Sequence, residues 1–402
     1  MDSLTIGKTI AALRKKIGLT QSELAERLNI SNKAVSKWEN GQGYPDISLF
    51  PSLANVFGVS IDYLMLQKKG IAVAGNIVTD VVKNIERYPE SGTLANITAV
   101  TSAVGGCVPN VGIDLAKMDP HLSVYAFGRV GTDENGRFIL SNMAANGVNI
   151  DGVVYSKEQP TSFTDVMSVP GGERTFFHVK GANAEFSPDD IKVKNLNCDI
   201  FHIGYILLLD KFDAPDCEYG TVMARFLAGL QKEGILTSVD MVSDSAGNYG
   251  YKVLPALRYT DYLIVNEIEI SEIFDISPRK ENGEIDKENV RLAMNKAAAA
   301  GVARKVIVHA KECCFMLDVA SGEIISVNSL KIPKEEIKGS VGAGDAFCAG
   351  CLWGLYNHHR DRRILEFASA AAACNLFAAN SIDGMRSAEE ILAVSAKYER
   401  LS

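Results

Sequence analysis

The sequence predicts two domains of different class: a small all-α domain at the N-terminus, followed by an α/β domain with a mostly parallel sheet covered by helices on both faces. In residues 1–66, apolar residues recur every three or four positions in short segments, which is the period of helices. From residue 71 onward, strand-like apolar runs alternate with helical segments, as in parallel sheets. The length of 402 residues also exceeds that of one typical domain.

The N-terminal segment, residues 1–66, has the pattern of five short helices. Gly18 is placed to end the first, and the run Thr20-Gln21-Ser22-Glu23 is a capping box that opens the second. Asn29 provides a tight turn, and Ser31 is placed to cap the third helix. Two helices joined by such a turn form a helix-turn-helix arrangement.

The run from Thr20 to Gly41, which ends in Trp38-Glu39-Asn40-Gly41, resembles the phage-repressor-like helix-turn-helix family, and the resemblance extends over residues 1–66. It implies double-stranded DNA as a partner. A phosphate contact is expected for Gln21, and major-groove contacts for Asn32, Lys33, Ser36 and Lys37. The alternative is that these side chains form only a solvated helix face. Because one such module binds weakly, a homodimer on a palindromic site is expected.

The charge distribution favours the same assignment. Residues 1–69 hold nine Lys and Arg against six Asp and Glu, a net charge of +3, whereas the whole chain has −8, which leaves −11 for the remainder. Only the first segment is therefore a plausible partner for nucleic acid.

A glycine-rich run in the second domain, residues 339–347 (GSVGAGDAF), precedes an apolar helix face. The first N–H groups of a helix are unpaired and attract anions, and Gly342, Ala343 and Gly344 carry little side chain that would block a phosphate. Asp345 would repel that phosphate unless it acts as a general base toward a substrate hydroxyl. A simple Gly-rich turn with an acidic residue in the first helical turn explains the run equally well.

The same run resembles the signature of the ribokinase-like, or PfkB, family of carbohydrate kinases, written D-T-T-G-A-G-D-x-F. Its last six positions match, and Gly339-Ser340-Val341 stand in place of D-T-T. The resemblance implies a ribokinase-like fold over residues 71–402, after a linker at 67–70. It implies that Asp345 is the catalytic base and that the amides of Gly342, Ala343 and Gly344 form the anion hole. Gly339 replaces an Asp that helps to bind a monovalent cation in the family, which puts potassium activation in doubt.

The resemblance also implies a sugar site and a small β lid. Asp80, Gly106 and Asn110 occupy the positions that hold sugar hydroxyls in the family, and Arg174 is a candidate substrate contact. Taken alone, Asp80 reads as a turn residue, Asn110 as a helix cap and Arg174 as a solvated hairpin residue. The lid strands are expected at about 86–104 and 161–181.

For the nucleotide, the resemblance implies ATP with Mg²⁺. Asn266 and Glu269 match the family's N-x-x-E, so Glu269 is expected to hold Mg²⁺ through water. His309 and Asn375 are further candidates for the nucleotide site. The family's T-x-G-x-x-G turn is replaced, with Lys311 and Cys314 standing where glycines are usual. The sequence has no Walker-type phosphate loop.

Composition limits the function classes. No apolar run reaches the roughly 18 residues of a membrane span, and the eight cysteines are dispersed, so a cytoplasmic protein without a membrane partner is expected. Cys348 and Cys351 have the spacing of a metal half-site, but no second pair completes it, so helix packing is expected for both.

Two functions therefore remain open. The first is ATP-dependent phosphorylation of a sugar hydroxyl by a kinase fused to a DNA-binding head. The alternative is a sugar-sensing transcription regulator whose kinase fold is weakly active or inactive, which the changes at positions 311, 314 and 339 favour.

Overall fold

The structure, a computed structural model, describes residues 3–59, 61–66, 69–170, 174–242 and 249–401. The chain divides into two compact units, Met1–Gly70 with His121–Ser123, and Ile71–Pro120 with Val124–Ser402. Among the described residues, no helix is long and apolar enough to cross a membrane.

The first unit is helical, and its secondary structure confirms the expected helix-turn-helix. Thr20 caps the second helix in a capping box with Glu23, and Ser31 accepts a hydrogen bond from the N–H of Ala34 to cap the third. The helices are α1 (Ser3–Lys16), α2 (Gln21–Arg27), α3 (Asn32–Glu39), α4 (Phe50–Phe57) and α5 (Ile61–Leu66). Their apolar faces meet in a core that includes Ile10, Leu24, Val35, Leu53 and Leu64, all fully buried.

A buried ion pair links the first three helices. Arg14 of α1 donates through Nε and Nη2 to the two carboxylate oxygens of Glu39 at the end of α3, at 2.6 and 2.9 Å. Gln21 of α2 donates through Nε2 to Glu39 Oε2 at 2.8 Å. The bidentate pairing satisfies both charges inside the head. It engages the Gln21 amide through one bond, and because that amide has two N–H donors, the phosphate contact expected of this side chain stays a prediction.

The second unit is built on a nine-stranded sheet in the order β15-β14-β13-β12-β11-β8-β1-β4-β5. All strand pairs from β13 to β5 in this order are parallel, and the pairs β13–β14 and β14–β15 are antiparallel, so β14 alone in this sheet runs against the other strands. The bounds are β1 (Ile71–Gly75), β4 (Val124–Val130), β5 (Asn149–Tyr155), β8 (Ile200–Ile206), β11 (Leu236–Met241), β12 (Tyr262–Asn266), β13 (Lys305–His309), β14 (Cys313–Asp318) and β15 (Ile324–Asn328). The mostly parallel sheet is confirmed.

Helices cover both faces of this sheet. Ala72 and Ala74 of β1 belong to one large core with residues of α8, α10 and α12, while α6 contacts β1 and β4 and packs on α13. The helices are α6 (Cys107–Met118), α7 (Glu134–Ala145), α8 (Val222–Lys232), α9 (Tyr249–Lys252), α10 (Leu254–Leu257), α11 (Glu267–Phe274), α12 (Lys287–Ala300), α13 (Ala343–Tyr356), α14 (Asp361–Asn375) and α15 (Ala388–Lys397). Strands buried on both faces explain why the sequence shows continuous apolar runs there.

A separate four-stranded sheet, in the order β3-β2-β6-β7, forms the lid. Its strands are β2 (Val78–Ile85), β3 (Ile97–Gly105), β6 (Phe163–Ser168) and β7 (Arg174–Val179). A separate two-stranded ribbon is formed by β9 (Pro215–Asp216) and β10 (Gly220–Thr221).

The expected start of the lid at residue 86 is wrong, because residues 86–96 connect β2 to β3 and the first lid strand, β2, precedes them. That first strand, β2, mixes Val, Thr and Ile with polar residues, which is a strand pattern. Asp80 therefore lies on a lid strand and not in a turn.

Candidate active site

The glycine-rich run forms the tight turn that starts α13. Gly342 caps this helix with a φ of 80°, and a Cβ there would lie 2.5 Å from Cβ of Ser381. Only glycine combines that conformation with that close approach. The N–H of Ala343 donates to the carbonyl oxygen of Ser340 at 3.3 Å. Of the three amides expected to form the anion hole, that of Ala343 is therefore already engaged, which leaves Gly344 in the first turn of the helix as the better candidate.

Asp345 lies in the same helical turn and is only 7% exposed. Asn110 donates through Nδ2 to its Oδ2 at 2.8 Å, and the hydroxyl of Tyr205 donates to its Oδ1 at 2.7 Å. Burial raises the pKa of Asp345, and the bonds from Tyr205 and Asn110 oppose that rise. The carboxylate is thus held in one orientation with both oxygens in use, as a positioned proton acceptor requires.

The sugar-site candidates converge on this carboxylate. Asn110 is itself oriented by the hydroxyl of Ser381, which donates to its Oδ1 at 2.8 Å. Asp80 faces the same region: burial raises the pKa of its carboxyl, a hydrogen bond with Thr164 lowers it, and the charge of Asp345 raises it further. Two carboxyl groups and an amide that influence one another are groups of the kind that bind neighbouring hydroxyl groups in pairs.

Gly106 is required by backbone geometry at this place. It caps α6 with a φ of 85°, and a Cβ on it would lie 2.5 Å from the carbonyl oxygen of Asn76. Arg174 begins β7, but its side chain lies outside the described part of the chain, so its expected substrate contact stays a prediction.

Asn266 and Glu269 form a capping box at the start of α11. Asn266 Oδ1 accepts from the N–H of Glu269 at 2.8 Å, and Glu269 Oε2 accepts from the N–H of Asn266 at 2.9 Å. Asp240, at the end of β11, is buried nearby, and its pKa is raised well above the usual range by burial and by the charges of Glu269 and Asp345. The negative charges of Glu269 and Asp345 thus oppose ionisation of Asp240, and a cation bound close to these carboxyl groups would reduce that repulsion.

A cavity of about 620 Å³ opens beside the start of α13, with Gly344 and Phe347 in its wall. This volume is typical of small-molecule sites. His309 also lines it, its ring centroid 4.8 Å from that of Phe347, and burial lowers the pKa of His309 to about 4, so the ring is neutral. A larger cavity of about 790 Å³ beside residues 280–288 contains none of the predicted site residues.

Comparison with known proteins agrees with this geometry. The family model for pfkB family carbohydrate kinases matches residues 68–388. The chain belongs to this family. A helix-turn-helix family model matches residues 10–64, so a carbohydrate kinase domain follows a helix-turn-helix domain in one chain.

Related proteins and structures include several sugar kinases. The chain is similar to a 5-dehydro-2-deoxygluconokinase of Listeria monocytogenes, at 25% identity over 74% of this chain and 87% of the relative, and to a ribokinase of Arabidopsis thaliana, at 25% identity over 80% of each. The solved structure of Arabidopsis thaliana ribokinase complexed with ribose and ATP superposes with a TM-score of 0.68 at 22% identity, covering 83% of this chain and all of that one. Thermotoga maritima ribokinase gives a TM-score of 0.66 at 20% identity over 82% and 99% of the two chains.

The turn at residues 309–314, where the sequence lacks the family's glycines, joins two antiparallel strands. β13 and β14 pair as a hairpin in which the N–H of Ala310 donates to the carbonyl oxygen of Cys313 at 2.9 Å. Lys311 and Glu312 form its tip, and neither is among the described residues with positive φ. The turn therefore closes without glycine, and the Lys311 side chain borders the cavity.

Asn375 does not line the cavity, contrary to the expected role near the nucleotide. Its side chain is fully buried and donates through Nδ2 to the carbonyl oxygen of Ser381 at 2.6 Å. The cavity is lined instead by Ala372 and Ala373 of α14 and by Leu376, which follows the helix. The hydrogen bond to Ser381 directs the Asn375 side chain into the protein interior.

Two residues of the site were not singled out from the sequence: Tyr205 and Asp240. Tyr205 contacts Asp345 across 140 positions of sequence, and Asp240 lies near the end of β11. Both lie at the carboxyl ends of parallel strands, where ligands gather in such sheets. Inspecting the polar residues at the carboxyl end of each predicted strand would have identified both.

On the helix-turn-helix domain, Lys33 and Lys37 of α3 are exposed and Ser36 is half-buried. Asn32 is exposed, and its Nδ2 donates to Ser22 Oγ at 3.0 Å. Among the described residues, the ion pair of this domain is Arg14 with Glu39, and it involves neither lysine. The exposed face of α3 thus carries two lysines outside that ion pair.

Proposed function

We propose that the kinase domain transfers the γ-phosphoryl group of ATP to a hydroxyl of a small sugar or sugar acid, with Asp345 as the general base. The observation that carries this proposal is the orientation of Asp345 at the start of α13 by Asn110 and Tyr205, beside a cavity of nucleotide-compatible size.

In the proposed reaction, the sugar hydroxyl replaces one of the two donors to Asp345 and gives its proton to the carboxylate. The hydroxyl oxygen forms a bond to the γ-phosphorus as the bond from phosphorus to the ADP oxygen breaks. The N–H of Gly344 and the positive end of α13 stabilise negative charge on the transferring group. Asp80 and Asn110 orient the sugar.

Mg²⁺ would be held by oxygen ligands near Glu269 and Asp240, directly or through water. The support for a divalent cation here is the oxygen chemistry of these carboxyl groups and the raised pKa of Asp240, which the charges of Glu269 and Asp345 increase. When bound, the metal neutralises charge on the phosphates.

The substrate class follows from the donors and from the relatives. Carboxylate and amide groups bind vicinal hydroxyls, and the related proteins are named for 5-dehydro-2-deoxygluconate, ribose and fructose. The test is to incubate the full chain with Mg-ATP and each of these substrates and to detect the phosphorylated product by mass spectrometry. Product formation from at least one compound supports the kinase, whereas saturable sugar binding without product would support the sugar-sensing regulator.

We also propose that the N-terminal domain binds double-stranded DNA through α3. The support is the exposed Lys33 and Lys37 on the third helix of a helix-turn-helix. Changing both to Ala is expected to abolish the mobility shift of a selected operator without unfolding the domain. Changing Lys8 and Lys15 of α1, both exposed, removes the same charge elsewhere and is the matched control. An unchanged shift for the α3 variant would reject this interface.

A cytoplasmic homodimer is the third part of the proposal. The lid carries exposed apolar side chains, among them Ile97 and Val100 of β3 and Phe176 and Phe177 of β7, and exposed apolar patches of this kind favour association. Sedimentation equilibrium of the full chain should give twice the 43.4 kDa chain mass; a monomer would reject it.

A further inference from the structure

Beneath the catalytic carboxylate, three side chains with metal-binding atoms meet in the protein interior. They are His202 on β8, Asp240 on β11 and Cys348 on α13, with exposures of 0, 9 and 1%. One ligand atom from each lies within 4.8 Å of the other two. Cys348 therefore faces a histidine and a carboxylate, and not Cys351, which follows it on α13.

The distances in this cluster fit a zinc ion. Cys348 Sγ lies 3.6 Å from His202 Nε2. With Zn–S bonds of about 2.3 Å, Zn–N bonds of about 2.0–2.1 Å and tetrahedral angles, sulfur and nitrogen ligands are about 3.6 Å apart. The two atoms are already at the separation that they would have on one metal ion, although a thiol donating to the imidazole gives a similar distance.

The histidine is held as metal-bound histidines usually are. His202 Nδ1 lies 3.0 Å from Ser238 Oγ. A hydrogen bond from the second ring nitrogen to a polar group fixes the ring and directs the other nitrogen to the metal.

A second thiol lies next to this group. A Cβ on Gly204 would lie 2.7 Å from Cys107 Sγ and 3.5 Å from Asp240 Cβ, so Cys107 and Asp240 both border Gly204. Cys107 does not belong to the three residues whose ligand atoms lie within 4.8 Å of one another, so water is the expected fourth ligand of a tetrahedral ion. One thiolate, one imidazole and one carboxylate form a donor set that prefers zinc over magnesium.

We propose that His202, Asp240 and Cys348, with water as the fourth ligand, bind one Zn²⁺ per chain and that this binding inhibits phosphoryl transfer. Binding releases the thiol proton of Cys348 to solvent. The ion occupies the carboxylate of Asp240, which is one of the groups proposed above to hold Mg²⁺. The inhibitory part rests on the proposed kinase function, but the binding part does not.

The test uses Co²⁺, which replaces Zn²⁺ and reports its ligands by absorption. The full chain with Cys217→Ser is titrated, because Cys217 is the exposed cysteine among those described. One Co²⁺ per chain with a thiolate-to-cobalt charge-transfer band and strong visible bands of tetrahedral cobalt is expected, and Zn²⁺ should displace it. Cys348→Ser should remove the charge-transfer band or weaken binding at least tenfold.

Cys351→Ser is the matched control, since Cys351 is buried on the same helix but belongs to no ligand group. It should bind Co²⁺ as the parent does. No charge-transfer band in the parent, or the same band and affinity in Cys348→Ser, would overturn the site. If cobalt binds as expected but zinc leaves phosphoryl transfer unchanged in a chain with measured kinase activity, the inhibitory part is rejected. A chain without kinase activity that binds cobalt would reject the proposed function and keep the metal site.

Discussion

The proposed sugar side and the proposed nucleotide side of the active site are built differently. On the sugar side, Asp345, Asn110, Tyr205 and Ser381 form a chain of hydrogen bonds of 2.7 to 2.8 Å. On the nucleotide side, a cavity is bounded largely by small and apolar residues of α13 and α14 and by the hairpin tip at Lys311. A hydrogen-bond network depends on the identity of each residue, whereas a cavity depends on its shape. The cavity can therefore tolerate the loss of the family glycines at positions 311 and 314, whereas the hydrogen-bond network could not tolerate comparable changes.

The largest effect is expected on the sugar side. Asp345→Asn keeps the shape and the Asn110 neighbourhood but cannot accept a proton. We expect kcat to fall by about a thousandfold or more, within the range of general-base contributions, while the sugar affinity survives. Steady-state rates and a sugar titration of the variant measure both quantities, and a near-normal kcat would remove Asp345 as the base.

The nucleotide side should respond to volume. Ala372→Phe places a ring in the cavity and should raise the KM for ATP about tenfold or more, with the sugar KM little changed. The same substitution at Ala145, which is exposed on α7, is the control. If Ala372→Phe and Ala145→Phe have the same KM for ATP, the cavity is not the nucleotide site.

A smaller effect separates positioning from catalysis on the sugar side. Burial raises the pKa of Asp345 and the Tyr205 bond lowers it, so Tyr205→Phe should raise that pKa. Since the base works when ionised, the acidic limb of the kcat/KM profile should move to higher pH, with about a tenfold loss near that limb. An unshifted limb would show that the Tyr205 hydroxyl does not stabilise the ionised base.

The smallest effect concerns Asp114, one turn after Asn110 on α6. It is fully buried, and neither carboxyl oxygen has a protein partner. Burial and the charge of Asp345 raise its pKa well above the usual value, and Lys117 lowers it. Between the pKa of Asp114 in the unfolded chain and its higher pKa in the folded chain, the folded state keeps a proton that the unfolded chain loses. Over that range the free energy of unfolding falls by about 1.4 kcal/mol per pH unit as the pH rises.

Asp114→Asn should remove this slope, so its melting temperature should exceed that of the parent increasingly as the pH rises. Melting curves at several pH values measure the difference. Parallel profiles would mean that Asp114 is ionised in the folded chain or has found another partner.

The sequence predicts those parts of the site that depend on local backbone geometry. Gly342 and Gly106 adopt positive φ at tight approaches, and Asp345 must follow the turn, so a short run of residues specifies them. Thr20 and Ser31 cap their helices for the same local reason. The fold class follows equally from apolar periodicity, which the buried strands preserve.

Contacts between distant segments could not be read in this way. The bond from Tyr205 to Asp345 and the approach of Cys348 to His202 join residues 140 and 146 positions apart. Asn375 is a candidate for the nucleotide site by sequence, but its side chain is buried and donates to the carbonyl oxygen of Ser381. Side-chain direction depends on such tertiary partners, which no local pattern contains.

The central claim is that the altered nucleotide side still binds ATP, and calorimetric titration of the full chain with Mg-ATP tests it most directly. The account predicts saturable binding of one Mg-ATP per chain, weakened in Ala372→Phe and retained in Asp345→Asn. Absence of nucleotide binding, in a protein that releases heat with ribose, fructose or 5-dehydro-2-deoxygluconate, would contradict the account and identify a sugar-binding regulator.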